Sequence, residues 1–218
     1  MADWTTLSNT AVGVGGLPSG ATVTALRDNP IAIAEDAPGA PPMVGMIRKI
    51  SQTVISGSPA TVDIFWDNAL YDSIHIELSN ATPTTTGVKI YARLSDDGTT
   101  FASAASSYSE AYLAISTAST VTSDNTETSD FIRLTPSPMG NTAGGGASGT
   151  IEILGINDAT RFTPMNYHIG ASNSSATLNQ LTIGSAMRRT NGVVKGIRFY
   201  ASSGTLLNGL VTVYGVWK

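Results

Sequence analysis

The stretch VKIYARLS, residues 88–95, alternates apolar and more polar side chains along its whole length. The apolar members are Val88, Ile90, Ala92 and Leu94, and the residues between them are Lys89, Tyr91, Arg93 and Ser95. Because successive side chains of a β-strand point to opposite faces of the sheet, this pattern places one face in a core and the other in solvent. The stretch therefore predicts a half-buried strand.

Comparable short stretches follow one another from residue 43 onwards. The predicted strands are residues 46–55, 60–66, 73–79, 88–95, 107–113, 131–134, 150–156, 165–171, 180–187, 194–201 and 207–216. Turn-forming sequences such as SGSP, DDGTT and RRTNG lie between most of them, and no helical period interrupts the series. Many short strands at regular spacing favour an all-β fold, and we expect residues 43–218 to form a jelly-roll-like β-sandwich.

Two regions interrupt the strand pattern. Residues 102–130 are rich in Ser, Thr and Ala and are predicted to hold one strand and a long loop. Residues 136–149 contain GNTAGGG and are predicted to form a second loop. Contact with a neighbouring subunit is the favoured interpretation of these loops, and ligand binding is the alternative. Tyr108 and Tyr112 border the first loop and are the candidate glycan contacts.

The chain begins with a segment that does not resemble the sheet region. The run ALRDNPIAIAEDAPGAPP, residues 25–42, predicts a short helix followed by a proline-rich extended strap. Pro30 leaves two interpretations of the helix. In the first, which fits the sequence well, Asn29 caps a helix whose first residue is Pro30; in the second, the helix breaks at Pro30.

We interpret residues 1–42 as an anchor arm. A short helix on an extended strap has too little area for a core of its own, so its apolar side chains need another surface. Leu26, Ile31 and Ile33 are therefore predicted to bind a partner protein, with folding back onto the chain's own sandwich as the alternative.

The composition excludes several classes of protein. The chain of 218 residues contains no cysteine, so it forms no disulfide and has no thiolate chemistry. Its formal net charge of -4 is opposite to the basic patch of a general nucleic-acid-binding protein. No stretch reaches the length of about 18 apolar residues expected of a membrane span. The first residues also lack the basic and apolar regions of a secretion signal, so we expect synthesis in a cytoplasm and no membrane partner.

No pattern of catalytic or cofactor-binding residues stands out. The loop GNTAGGGASGT lacks the Lys-Ser/Thr pair and the following helix of a P-loop, and no G-x-S-x-G motif occurs. His75 and His168 lie in strand-like alternations and are predicted to occupy polar positions on a sheet face, not to bind a metal. We therefore expect no enzyme and no cofactor.

Acidic residues in the sheet region are the remaining candidates for chemistry. The turn SDDGTTF, residues 95–101, resembles the Asp-box hairpin of sialidase-like propellers, but it is one residue short. Asp96 and Asp97 supply too few oxygens for calcium and suit a tight turn without a ligand. A glycan-depolymerising enzyme that uses Asp63 or Asp97 is one hypothesis, and we favour it less than the two non-enzymatic functions named below.

Three blocks of the chain resemble virion proteins of tailed bacteriophages. LPSGATVTALRDNPIAIAEDAPGAPP is similar to an anchor segment at the start of such proteins. YDSIHIELSNATPTTTGVKIYARLSDDGTTF and VKGIRFYASSGTLLNGLVTVYGVWK are similar to a domain common in the same virions. The resemblance implies a non-enzymatic capsid decoration protein or head spike, anchored to a capsid or tail protein. The alternative is a carbohydrate-binding tail fibre that attaches the phage to host glycans. A homotrimer on the virion is the expected assembly in both cases.

Overall fold

The computed structural model describes residues 23–25, 27–29, 47–117, 120–141, 145–172 and 179–218. The chain divides into two compact units. One comprises residues 1–46 with Trp217, and the other comprises Ile47–Val216 with Lys218. No helix among the described residues is long and apolar enough to cross a membrane.

The described part of the first unit is a short helix. Residues 23–25 and 27–29 are helical, so helical structure is present before the cap position that the first interpretation assigns to Asn29. Pro30 lies outside the described residues, and both interpretations of the sequence around it stay predictions. Ala25 and Arg27 have high helix propensity, and the Arg27 Nε donates a hydrogen bond to Asp28 Oδ1 at 2.6 Å. The predicted anchor residues Leu26, Ile31 and Ile33 lie outside the described residues.

The second unit is a β-sandwich of twelve strands. They are β1 (Ile47–Ile55), β2 (Thr61–Phe65), β3 (Tyr71–Pro83), β4 (Ile90–Ser95), β5 (Tyr108–Ser116), β6 (Val121–Ser129), β7 (Ile132–Arg133), β8 (Ala147–Leu154), β9 (Thr163–Ser172), β10 (Asn179–Arg188), β11 (Gly196–Ala201) and β12 (Leu206–Trp217). An eight-stranded sheet has the order β1-β12-β3-β8-β9-β10-β5-β6, and a four-stranded sheet has the order β2-β11-β4-β7.

The strand order is that of a jelly roll with two additions. Four strands of the larger sheet, β1-β12-β3-β8, and four of the smaller sheet, β2-β11-β4-β7, alternate along the chain except from β4 to β7, as when a long hairpin wraps around a barrel. The hairpins β5–β6 and β9–β10 are inserted into this series and extend the larger sheet beyond β8. The predicted jelly-roll-like sandwich is confirmed.

The core lies between the two sheets and follows the alternation seen in the sequence. In β4, Ile90, Ala92 and Leu94 are fully buried, while Tyr91 and Arg93 are partly exposed. Burying one such aliphatic side chain stabilises a fold by about 1.5–3 kcal/mol, so the inward residues of the twelve strands account for most of the driving force for folding.

Strand β6 was not predicted from the sequence. It forms an edge of the larger sheet, and its residues VTSDNTETS are exposed on both faces apart from the partly buried Thr126 and the buried Ser129. A strand with no buried face has no period-two pattern, which is why this region was interpreted as a loop. Tyr108 is the first residue of β5, after the connection from β4, and Tyr112 lies inside the strand, so the segment that follows Tyr112 is strand and not loop. Strand β8 also begins at Ala147, inside the second predicted loop.

Candidate functional site

Strand β10 directs its large apolar side chains away from the core. Its inward positions are Thr182, Gly184, Ala186 and Arg188, and its outward positions are Leu181, Ile183, Ser185 and Met187. A strand with one buried face normally places its apolar residues inward and its polar residues outward. The pattern of β10 is the reverse, because its three largest apolar side chains face away from the sandwich.

The ring of Tyr167 in β9 explains this reversal. Gly184 is the direct partner of Tyr167 across the two strands, and a Cβ atom at Gly184 would overlap the Tyr167 ring. The Tyr167 hydroxyl donates a hydrogen bond to the backbone oxygen of Arg133 at 3.0 Å, which ties the ring to the smaller sheet. The inward side of β10 therefore has room only for a glycine at this position.

Strands β5 and β6 continue the apolar surface. Leu113 is paired with Ile183, and Ile115 is paired with Leu181 on one side and with Val121 on the other. We call the outward side chains of Leu113, Ile115, Val121, Leu181, Ile183 and Met187 the aliphatic face. Each of the six is between 39% and 62% exposed. A contiguous apolar patch of this kind on a soluble protein marks a surface that binds a partner.

A groove runs from the aliphatic face to polar side chains on β8 and β9. Its volume is about 630 Å³, and its floor includes Leu113 and Ile183. Glu152, Asn166 and Ser185 form one row across β8, β9 and β10, and His168 lies next to Ile183. The Glu152 Oε1 also lies 3.7 Å from the Nδ1 of His75 on β3. The groove is thus aliphatic where it meets β5 and β10 and polar where it meets β8 and β9.

A charged cluster joins the inserted hairpin β5–β6 to the smaller sheet. The backbone nitrogen of Arg133 donates to the Glu110 Oε2 at 2.7 Å, and the Arg133 Nη1 donates to the Tyr112 hydroxyl and to Asp124 Oδ2, both at 3.1 Å. The Arg133 Nη2 lies 3.3 Å from the Glu110 Oε1, an ion-pair contact without hydrogen-bond geometry.

Burial dominates the electrostatics of this cluster. The Glu110 side chain is 1% exposed, and desolvation raises its pKa, although the Arg133 backbone hydrogen bond and charge oppose the shift. The buried Glu110 carboxylate is thus held in place by a single cation, the Arg133 guanidinium. This arrangement fixes the hairpin against β7 and leaves the other side of the hairpin free to carry the aliphatic face.

The two predicted glycan contacts are buried. Tyr108 has no exposed surface; its hydroxyl accepts a hydrogen bond from the Leu94 backbone nitrogen at 2.7 Å and donates one to the Ala102 oxygen at 3.1 Å. Burial raises the pKa of Tyr108 to about 12. Tyr112 is 8% exposed, and its hydroxyl is held by Arg133. Tyr108 offers no face on which a sugar can stack, and Tyr112 lines the groove with only a small part of its surface.

The histidines and the acidic turn occupy structural positions. His75 and His168 lie on β3 and β9, separated by β8, and the described residues contain no group of three His, Asp or Glu that could hold a metal ion. Asp97 accepts hydrogen bonds from the Thr100 hydroxyl and from the backbone nitrogens of Thr100 and Thr99, and these bonds, the hydroxyl bond first, lower its pKa. Asp96 forms an ion pair with the Arg188 Nη2 at 2.6 Å. Both carboxylates of the turn are thus engaged by donors of the protein itself.

The sequence predicts two of the three strands that carry the aliphatic face, β5 and β10, but neither β6 nor the face itself. Two signals point to it. In β5 the run AYLAI is apolar on both faces, and in β10 large and small residues alternate. Comparison with protein-family models, curated proteins and solved structures finds no match to this chain.

Proposed function

We propose that this protein is a non-enzymatic structural component of a phage virion. Its residues 1–42 attach it to a capsid or tail protein, and its sandwich is displayed on the particle surface as a decoration or spike protein. The observation that carries the proposal is the aliphatic face. Strands added to a jelly roll present six exposed aliphatic side chains, and such a surface belongs to a protein that works in an assembly.

Two further features support this function. Jelly rolls are common in viral shells, although the fold alone does not specify a function. The three sequence blocks that resemble phage virion proteins include the anchor region and four strands of the sandwich, β3, β4, β11 and β12. The proposal includes a homotrimer as the assembled form.

The proposal is tested on the particles themselves. Gradient-purified particles of the phage that encodes the chain are analysed by quantitative peptide mass spectrometry. We expect the protein at a fixed copy number relative to the major capsid protein. A full-length variant with Leu26→Asp, Ile31→Asp and Ile33→Asp is expected to fold and to be lost from the particles. Wild-type protein found only in the supernatant would refute the proposal.

A second candidate function is host attachment through glycans. The observation that favours it is the polar margin of the groove, where Glu152, Asn166 and His168 present planar polar groups beside the aliphatic floor. Such groups hydrogen-bond sugar hydroxyls, while apolar surfaces contact the sugar ring. A glycan array tests this function. Binding that is lost with Asn166→Ala and retained with Tyr108→Phe would support it, and an array without signal would refute it.

A further inference from the structure

We propose that the aliphatic face packs against the same face of other copies of this chain. This inference rests on the proposed function, because it names the partner that the exposed face meets in the assembly. It replaces a general expectation of a homo-oligomer with a defined interface on β5, β6 and β10.

The distribution of charge selects another copy as the occupant. The outward positions of β5 and β10 are Ser109, Ala111, Leu113, Ile115, Leu181, Ile183, Ser185 and Met187. None of them is charged. In a symmetric assembly, a side chain near the axis meets its own counterpart, so a charge there would meet a like charge and destabilise the interface. A different partner protein imposes no such restriction. An uncharged face, in contrast, can pack against the same face of another copy without bringing like charges together.

The layout of the surface also fits an interface between copies. Leu113 and Ile183 are paired at its centre, and Ile115 with Leu181 and Val121 forms the adjacent row. Polar and charged side chains, among them Asn125, Asn166, Glu127 and Glu152, border this uncharged centre. Interfaces between subunits have this arrangement of an apolar core inside a polar rim.

The inverted pattern of β10 is what the proposed interface requires. Thr182, Gly184 and Ala186 face the chain's own core, and Leu181 and Ile183 face outward. In the assembled form both sides of β10 are buried, and the large residues of the strand enter an apolar core formed between copies. Register is strongly specified in a strand of this kind, since a shift by one residue would exchange the two faces.

The absence of cysteine permits a direct test by cross-linking. The full-length protein carries a single Ala111→Cys substitution on the outward surface of β5, and the matched control carries Ser79→Cys at an exposed position of β3 in the polar half of the same sheet. Both are treated with a short bismaleimide at low protein concentration. We expect covalently linked chains from Ala111→Cys and none from Ser79→Cys.

A charge placed in the face completes the experiment. Adding Ile183→Glu to Ala111→Cys is expected to weaken association on the order of a hundredfold and to abolish the cross-link, because like charges then meet between copies. Leu113→Ser serves as a milder second variant, and the circular dichroism spectrum verifies that each variant is folded. Equal cross-linking of Ala111→Cys and Ser79→Cys, or a cross-link that survives Ile183→Glu in the folded protein, would overturn the interface.

The two proposals fail in different ways. Protein that is present on particles but gives no face-specific cross-link would overturn the interface and leave the virion function intact, with a different protein as the occupant of the face. Protein that cross-links through Ala111→Cys but is missing from particles would support the interface and refute the virion function.

Discussion

Gly184 lies directly against the ring of Tyr167, its cross-strand partner, so the inward side of β10 is filled by a side chain of β9. This relationship leaves no space for a side chain at the inward position 184. The tyrosine cannot withdraw freely, because its hydroxyl is hydrogen-bonded to the Arg133 backbone oxygen. The aliphatic face is therefore coupled to packing inside the sandwich and is not an accident of surface composition.

Substitution of Gly184 by alanine tests this coupling. The new methyl group would overlap the Tyr167 ring, and we expect Gly184→Ala to lower the free energy of unfolding by about 1–3 kcal/mol, the usual cost of overpacking. Gly170→Ala in β9 is the control, because a Cβ atom there meets only the Ser148 oxygen at 3.7 Å. Urea unfolding of the two variants measures the difference. Equal stability of both variants would contradict the proposed packing.

Removal of the Tyr108 hydroxyl should affect stability and not sugar binding. Tyr108→Phe leaves the buried Leu94 backbone nitrogen without the hydroxyl that it binds, so we expect a loss of about 1–3 kcal/mol in the free energy of unfolding. Tyr200→Phe is the matched control, since the buried Tyr200 hydroxyl has no hydrogen-bond partner among the described residues. That variant should be neutral or slightly more stable. Chemical denaturation of both variants tests the assignment.

The contacts of the charged cluster predict that the free energy of unfolding depends strongly on Arg133. Arg133→Met leaves the Glu110 carboxylate buried without its cation, and we expect a cost of about 3 kcal/mol at neutral pH. In the double variant with Glu110→Gln, the cost should be smaller than the sum of the two single effects. Arg161→Met, at an exposed surface ion pair with Asp158, should cost less than about 1 kcal/mol. Additive effects in the double variant would show that the two groups are not coupled.

Glu110 also predicts a dependence on pH. Burial raises the pKa of Glu110 in the folded protein, so the folded chain binds this proton more readily than the unfolded chain does. Glu110 therefore adds most to the free energy of unfolding at low pH. This contribution decreases as the pH rises from the ordinary glutamate pKa through the raised pKa of the folded protein. The difference in unfolding free energy between wild type and Glu110→Gln isolates this contribution. We expect the difference to move in favour of the Gln variant with rising pH, and a flat difference would contradict the assignment.

The regular part of the fold follows from the sequence, because alternation such as that of Ile90, Ala92 and Leu94 records which face of a strand is buried. Strand β6 could not be predicted in this way, since nearly all of its side chains lie outside the core. The sequence also does not show which face of β10 points outward. Alternation shows that Leu181 and Ile183 share a face, but only the position of Tyr167 shows that this face points outward.

The candidate site depends on contacts between residues that are distant in the chain. Leu113 and Ile183 become partners only because the two inserted hairpins meet in the larger sheet, and Glu110 meets Arg133 only because β7 returns to the hairpin. Spacing along the sequence carries no signal for either pair. The predicted sugar contacts Tyr108 and Tyr112 were misplaced for the same reason, since their burial depends on packing of β5 against the smaller sheet.

Gold-labelled antibodies raised against residues 43–218 show whether this chain is part of the virion. They are applied to purified phage particles and examined by electron microscopy, with particles from a phage lacking the gene as the control. We expect label at regular positions, over the head for a decoration or spike protein and at the tail end for a fibre. Particles that carry no label, although the antibodies bind the free protein, would contradict the claim that this chain is a structural component of the virion.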